Sequence, residues 1–423
     1  MLNKLSKKDS LEAWLDYIEK LHPSEIELTL ERVREVKDLA NIHPDFPIIL
    51  VGGTNGKGSV CAFIESILHA SDLKIGCYTS PHLLRFNERI RINKHEVDDK
   101  AIVTALDHIE RSRRDIPLTY FEITTLAAVK CMNDEAVDIA ILEVGLGGRL
   151  DAVNIFSPTI SLITTVSLDH QAYLGDSVDK IGFEKSGIFR GNIPAIINHK
   201  NPIPSMISAA NKINANLSLL GNDYNLVIHD KSLSYTSNDL SYSDLPLPQI
   251  KGNHQIINLA GALRCIELLN STMPISIKAI KKGISDASIR GRFEVLLNNP
   301  LVVVDVAHNP ESANNLANNF MDAKLDGITT AIFSVFEDKD VLSIIQPFIN
   351  VIDKWYIAEL SSDRALSCEG IEEALKSVMP TVTVEKFPTV RHAYKEALKN
   401  AHDNDNILMF GSFLVISESI GET

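Results

Sequence analysis

The residues best suited to chemistry sit together in Gly52-Gly-Thr-Asn-Gly-Lys-Gly-Ser59. Glycines at 52, 53, 56 and 58 let backbone N–H groups close on a phosphate, Lys57 can neutralise β- and γ-oxygens, and Ser59 can reach Mg2+. The spacing departs from the usual G-x-x-x-x-G-K-[ST]: three residues separate Gly52 from Gly56, and Gly58 stands between Lys57 and Ser59. A plain glycine-rich turn accounts for the glycines but not for a lysine and a hydroxyl beside them. The stretch reads as a phosphate loop.

Further candidates fall where apolar runs end. Val137-Asp-Ile-Ala-Ile-Leu142 stops at Glu143, an acidic strand end downstream of a phosphate loop, which is the arrangement that holds Mg2+. Gly145, Gly147 and Gly148 then leave room for a ligand, with Arg149 and Asp151 offering charge. Lys74 to Tyr78 runs into Thr79-Ser-Pro-His-Leu83, where Ser80 can offer a hydroxyl to the metal or simply sit in a Ser-Pro turn. Ser161 to Val166 ends near His170, and Lys185 lies among glycines and apolar residues. Tyr120 and Phe121 beside Glu122 can line a pocket for a flat aromatic ligand, although a hydrophobic staple at a helix entry explains them equally well. Arg290 and Arg292 around Gly291 read as a phosphate clamp or a solvated basic turn.

The elements that must position these groups alternate strand and helix. Ile48 to Val51 reads as a buried parallel strand, followed by a helix bearing Val60, Phe63, Ile64, Ile67 and Leu68 on its apolar positions. Two helices precede it: one capped by Asp9 or Ser10 with Leu11, Trp14, Leu15, Ile18 and Leu21 on one face, and one from about Ser24 to Ala40. Leu118 to Glu122 reads as loop or short strand leading into a helix from Ile123, and Gly221 to Asp244 as a polar hairpin. Leu245 to Gln249 is an extended connector, and a helix runs from Lys251 to about Leu269. Strands at 301–306, 328–333, 354–358, 382–387 and 407–410 alternate with helices near 340–350, 369–377 and 389–402, a second doubly wound unit. The fold class expected is α/β: a P-loop NTPase-like N-terminal domain with a parallel sheet over 1–292, and a smaller Rossmann-like α/β C-terminal domain over 293–423.

A chain of 423 residues exceeds what one core usually serves, and its composition, 45% hydrophobic and 23% charged, is that of a globular protein. A net charge of −14 argues against nucleic acid as a partner, and an anionic ligand would need local cations such as Lys57, Arg149, Lys185 and Arg292. No apolar run reaches membrane-spanning length, no apolar segment follows the N-terminal lysines, and five scattered cysteines form no C-x-x-C. A cytoplasmic protein with reduced thiols is expected, acting as a monomer on small molecules.

Taken together, Gly53-Thr-Asn-Gly-Lys-Gly-Ser59, Tyr78-Thr-Ser-Pro-His-Leu83, Leu142-Glu-Val-Gly-Leu-Gly-Gly-Arg-Leu-Asp-Ala152, Asp169-His170, Glu184-Lys-Ser-Gly-Ile188 and Asp305-Val-Ala-His-Asn-Pro310 resemble the folylpolyglutamate synthase/dihydrofolate synthase family. That family belongs to the ATP-dependent amide ligases that include the Mur enzymes. The resemblance covers nearly the whole chain, and the family shares the loop's unusual glycine spacing.

It implies that Asn55, Gly56, Lys57, Gly58 and Ser59 hold ATP phosphates, that Ser80, Glu143 and His170 hold Mg2+, and that Lys185 joins them as a carbamate. Gln255, Arg292 and Asp305 match nucleotide contacts, and Tyr120, Phe121, Glu122, Leu150, Asp151 and Ala152 match the pterin-holding region. Lys57, Lys185 and His170 are the residues implied in catalysis. The implied reaction activates a dihydropteroate or folate carboxylate as an acyl phosphate, which the amine of L-glutamate then attacks. Domain closure is expected, to keep that intermediate from water. Gln171-Ala-Tyr173 and Phe336-Glu337 depart from the family's pattern. Two other readings compete. A Mur-type ligase would be expected to carry an additional N-terminal domain, where only 46 residues precede Pro47. A nucleotide-binding switch would be expected to show an N-K-x-D element, which the chain lacks.

Overall fold

The computed structural model describes residues 10–24 and 27–421. It divides into two compact units, residues 1–249 with 256–287, and residues 250–255 with 288–423. The division falls between Ala287 and Ser288, five residues before the boundary expected after Arg292.

The first unit is built on an eight-stranded sheet in the order β4-β3-β2-β5-β1-β6-β7-β8. Its strands are β1 (Ile48–Gly52), β2 (Ile75–Tyr78), β3 (Ile90–Ile92), β4 (His95–Glu96), β5 (Ile139–Glu143), β6 (Ile160–Ile163), β7 (Pro194–Ile197) and β8 (Asn216–Leu219). Six of them run parallel, with β3 and β4 added antiparallel at one edge. All five residues of β1 and all five of β5 are buried, which is why both read as unbroken apolar runs rather than alternating ones. β9 (Tyr224–Ile228), β10 (Leu233–Ser237) and β11 (Ser241–Leu245) form a separate antiparallel meander, one strand more than the expected hairpin.

The helix Leu11–Ile18 takes Ser10 as its N-cap; Asp9, the other cap considered, lies outside the described residues. The second helix begins at Glu31 rather than near Ser24. Residues 25 and 26, part of the expected helix, lie outside the described residues; residues 27–30 are not helical, and Glu27 accepts from Arg32 through both its carboxylate and its carbonyl. Tyr120 to Glu122 is neither loop nor strand but the first turn of the helix Tyr120–Asp134.

The second unit holds β12 (Glu294–Asn298), β13 (Leu301–Val304), β14 (Thr329–Phe333), β15 (Lys354–Ala358), β16 (Thr383–Phe387) and β17 (Asn406–Phe410) in the order β12-β13-β17-β14-β15-β16. The five strands expected there are present and parallel, with helices on both sides in sequence. Its core packs Phe333, Phe348, Trp355 and Phe410, with Phe348 and Phe410 ring centroids 4.4 Å apart. The sequence reading missed β12 and the helix Phe413–Ile420. β12 is an antiparallel edge strand with Val295 and Leu297 exposed, so no buried face gave it a pattern.

Candidate active site

Strand register brings four carboxyl ends level. Val51 pairs with Glu143, Tyr78 with Leu142, and Gly52 with Ile163, so β2, β5, β1 and β6 release their following loops side by side. In open α/β sheets this edge is where ligands bind.

The glycine loop leaves β1 there and is pinned against the segment after β6. Thr54 N donates to Thr165 O at 2.7 Å, and Thr164 Oγ1 donates to Asn55 O at 2.6 Å. At Gly53, φ is +143° and an added Cβ would stand 1.8 Å from Thr164 Oγ1, so only glycine fits. Gly56 caps the helix Lys57–His69, which carries Lys57, Gly58 and a buried Ser59 in its first turn. The Lys57 ammonium folds back on the loop, donating to Gly53 O and Thr54 O at 3.1 Å each. Lys185 closes the helix Val178–Lys185 and is 4% exposed, with Nζ donating to Gly53 O at 3.0 Å. Burial, then the charge of Lys57, bring the Lys185 amine down to about 7, against the opposing pull of Asp169 and Asp151.

Glu143 ends β5 at 5% exposure, and its carboxylate accepts from Ser80 N at 3.2 Å. The structure thus brings Ser80 and Glu143 together. His170 takes a left-handed backbone, φ 50°, with its N–H donating to Asp169 Oδ1 at 2.9 Å. Among the described residues no three His, Cys, Asp or Glu side chains gather round one point. A cation here would draw on Ser80, Glu143 and His170 with ligand oxygens completing its shell, as Mg2+ usually does, rather than on an all-protein cage.

The aromatic candidates adjoin this edge. The Phe121 ring lies against Gly145, where an added Cβ would stand 2.5 Å from it, and Tyr78 is 6.0 Å from Phe121 between centroids. Tyr120 packs edge-on to Phe86 under the Arg89 guanidinium, which lies 5.5 Å from the Tyr120 ring centre. Glu122, expected to help line a pocket, has partners within the fold. Its carboxylate accepts from Thr119 N at 2.8 Å in a capping box and from Arg32 Nε at 2.9 Å. Leu150 is 39% exposed and Ala152 buried. Asp151 accepts from Leu146 N at 2.7 Å and Val153 N at 3.0 Å, and burial lifts its carboxyl to about 6.

The chain matches the family model "Mur ligase middle domain" over residues 51–266 and "Mur ligase, glutamate ligase domain" over 291–413. It is 36% identical to the dihydrofolate synthase/folylpolyglutamate synthase of Escherichia coli over 408 residues, covering 96% of this chain and 94% of that one. The chain belongs to the dihydrofolate synthase/folylpolyglutamate synthase family. Its members are ATP-dependent ligases, and so is this chain. Among solved structures, it is similar to E. coli FolC in complex with DHPP and ADP, with a TM-score of 0.91 at 35% identity over 97% of this chain and 96% of that one. A bifunctional folylpolyglutamate synthase/dihydrofolate synthase with Mn, AMPPNP and L-glutamate bound matches with a TM-score of 0.89 at 35% identity over 97% of each chain.

Asp305 and Gln255, expected as nucleotide contacts, lie in the second unit. Asp305 follows β13, and its carboxylate accepts from Phe293 N and Ala307 N at 2.8 Å each; burial raises its pKa, opposed by Arg292. Gln255 is 1% exposed, with its amide 2.9 Å from His254 Nε2. Arg149, expected as a cation for an anionic ligand, instead lies 4.3 Å from the Phe183 ring centre and donates to Phe183 O at 3.0 Å. Sequence reading passed over Thr164 and Thr165, which clamp the loop. Their signal was two hydroxyls at the end of β6, the strand beside β1.

Proposed function

We propose that this ligase makes both family products: it joins L-glutamate to dihydropteroate and lengthens the glutamate tail of reduced folates at the γ-carboxylate. The observation that carries the site assignment is the convergence of the glycine loop, Ser80, Glu143 and Lys185 at one sheet edge. Asn55, Gly56, Lys57, Gly58 and Ser59 take the ATP phosphates, and by family correspondence we assign further nucleotide contacts to Gln255, Arg292 and Asp305. Ser80, Glu143 and His170 are the metal ligands. Mg2+, when bound, supplies charge neutralisation at the phosphate oxygens.

Lys185 is assigned as a carbamate. Its neutral amine adds CO2 and loses a proton, which turns a would-be cation into an anionic oxygen donor for the metal. The lowered pKa makes the neutral amine available near pH 7. Tyr120, Phe121, Leu150 and Ala152 hold the pterin, while Glu122 and Asp151 shape that wall through the backbone and Arg32.

In the reaction, an oxygen of the substrate carboxylate attacks the γ-phosphorus and ADP leaves. The amine of L-glutamate then attacks the acyl carbon, loses a proton, and phosphate departs carrying the original carboxylate oxygen. Lys57 neutralises charge at the transferred group, and the loop fixes its orientation. The free, buried cysteines and the absence of any helix able to cross a membrane among the described residues support placement in the cytoplasm, and we assign a monomer. Dihydropteroate labelled with 18O in its carboxylate tests the chemistry. One labelled oxygen is expected in the released phosphate, and unlabelled phosphate excludes the acyl phosphate.

A further inference from the structure

We propose that His82 is a specificity-determining residue that donates a hydrogen bond from Nε2–H to an uncharged acceptor atom, a ring oxo group or ring nitrogen, of the pterin-bearing substrate. This inference rests on the folate reading of the same site. His82 lies two residues beyond Ser80, on the loop that leaves the carboxyl end of β2. Arg89 Nε donates to its Nδ1 at 2.8 Å. A guanidinium has only donors, so Nδ1 must be the unprotonated nitrogen and the ring's one proton must reside on Nε2. The tautomer is therefore set by a neighbour that never deprotonates.

The surroundings make that donor useful. The His82 ring stands 6.1 Å from Phe86 between centroids, and Phe86 stands 6.3 Å from Tyr120, the residue assigned to the pterin wall. The same Arg89 lies 5.7 Å from the Phe86 ring centre and 5.5 Å from that of Tyr120. One cation thus fixes the imidazole and backs the aromatic surface beside it. His82 is half-buried, and among the described residues its Nε2 meets no hydrogen-bond partner, whereas the opposite nitrogen is fully used. A neutral N–H at the rim of an aromatic wall suits a neutral acceptor on a flat heterocycle. A carboxylate would be better met by an imidazolium, which the Arg89 contact forbids.

Binding of dihydropteroate and of ATP, measured separately by calorimetry on the full chain, tests this without turnover. His82→Phe keeps the ring volume and removes both nitrogens; dihydropteroate affinity is expected to fall about tenfold, with ATP affinity unchanged. His82→Gln restores an N–H and an acceptor and is expected to recover affinity to within about threefold. Arg89→Met, which frees the tautomer, is expected to weaken dihydropteroate more in the wild-type background than in the His82→Phe background, where only its backing of the Phe86 and Tyr120 rings is lost. Should His82→Phe not fold, the glutamine and Arg89 variants carry the test. Equal dihydropteroate affinity in wild type and His82→Phe overturns the assignment alone. Wild-type protein that binds ATP but neither dihydropteroate nor tetrahydrofolate overturns the folate reading beneath it.

Discussion

Lys57 and Lys185 direct their amines to a single acceptor, Gly53 O, at 3.1 and 3.0 Å. Two amines converging on one carbonyl cannot both remain charged cheaply away from water, and it is the buried one that yields. That relationship links the lysine of the glycine loop to a second, buried lysine on the helix Val178–Lys185.

The Lys185 amine has a folded pKa of about 7, below its ordinary 10.5. Between those values the unfolded chain holds a proton that the folded chain lacks, so unfolding free energy should rise with pH across this window. Denaturant titrations at pH 7 and pH 9 check the sign. Lys185→Met should be at least as stable as wild type at pH 7, because it removes a costly buried amine, yet should be inactive. Activity should also fall below about pH 7 and recover partly with added bicarbonate, as expected of an amine that must be neutral to take up CO2.

Glu143→Gln keeps an oxygen able to accept from Ser80 N but removes the charge. Turnover should drop about a hundredfold or more, with thermal stability little changed and metal-free nucleotide binding retained. Steady-state kinetics across a Mg2+ series, paired with calorimetry, separates these effects.

Glu122→Ala strands Arg32, whose side chain is 13% exposed, and removes a capping box as well. The expected loss is roughly 3 kcal/mol in unfolding free energy. A lowered melting temperature with near-normal KM for substrates would identify Glu122 as the scaffold of the pterin wall rather than part of it.

Gly145→Ala drives a methyl into the Phe121 ring and should raise KM for dihydropteroate several-fold while leaving that for ATP alone.

The sheet edge was legible because its strands are buried on both faces and end in Gly52, Glu143 and the Thr164–His170 segment, leaving unbroken apolar runs with abrupt polar stops. Edge elements such as β12 were not legible, since strand pairing rather than burial defines them. Side-chain commitments were also hidden. For Glu122 and Arg149 the sequence could not show their partners in the fold, Arg32 and Phe183, because both lie far away along the chain. His82 was visible only as part of a turn, because the residue that fixes its tautomer, Arg89, comes from the short 3-10 turn Phe86–Arg89 that precedes β3.

L-glutamate-dependent phosphate release from ATP, run separately with dihydropteroate and with tetrahydrofolate, tests the central claim most directly. The account predicts release with both. Release with neither, from protein shown to bind ATP, would contradict it.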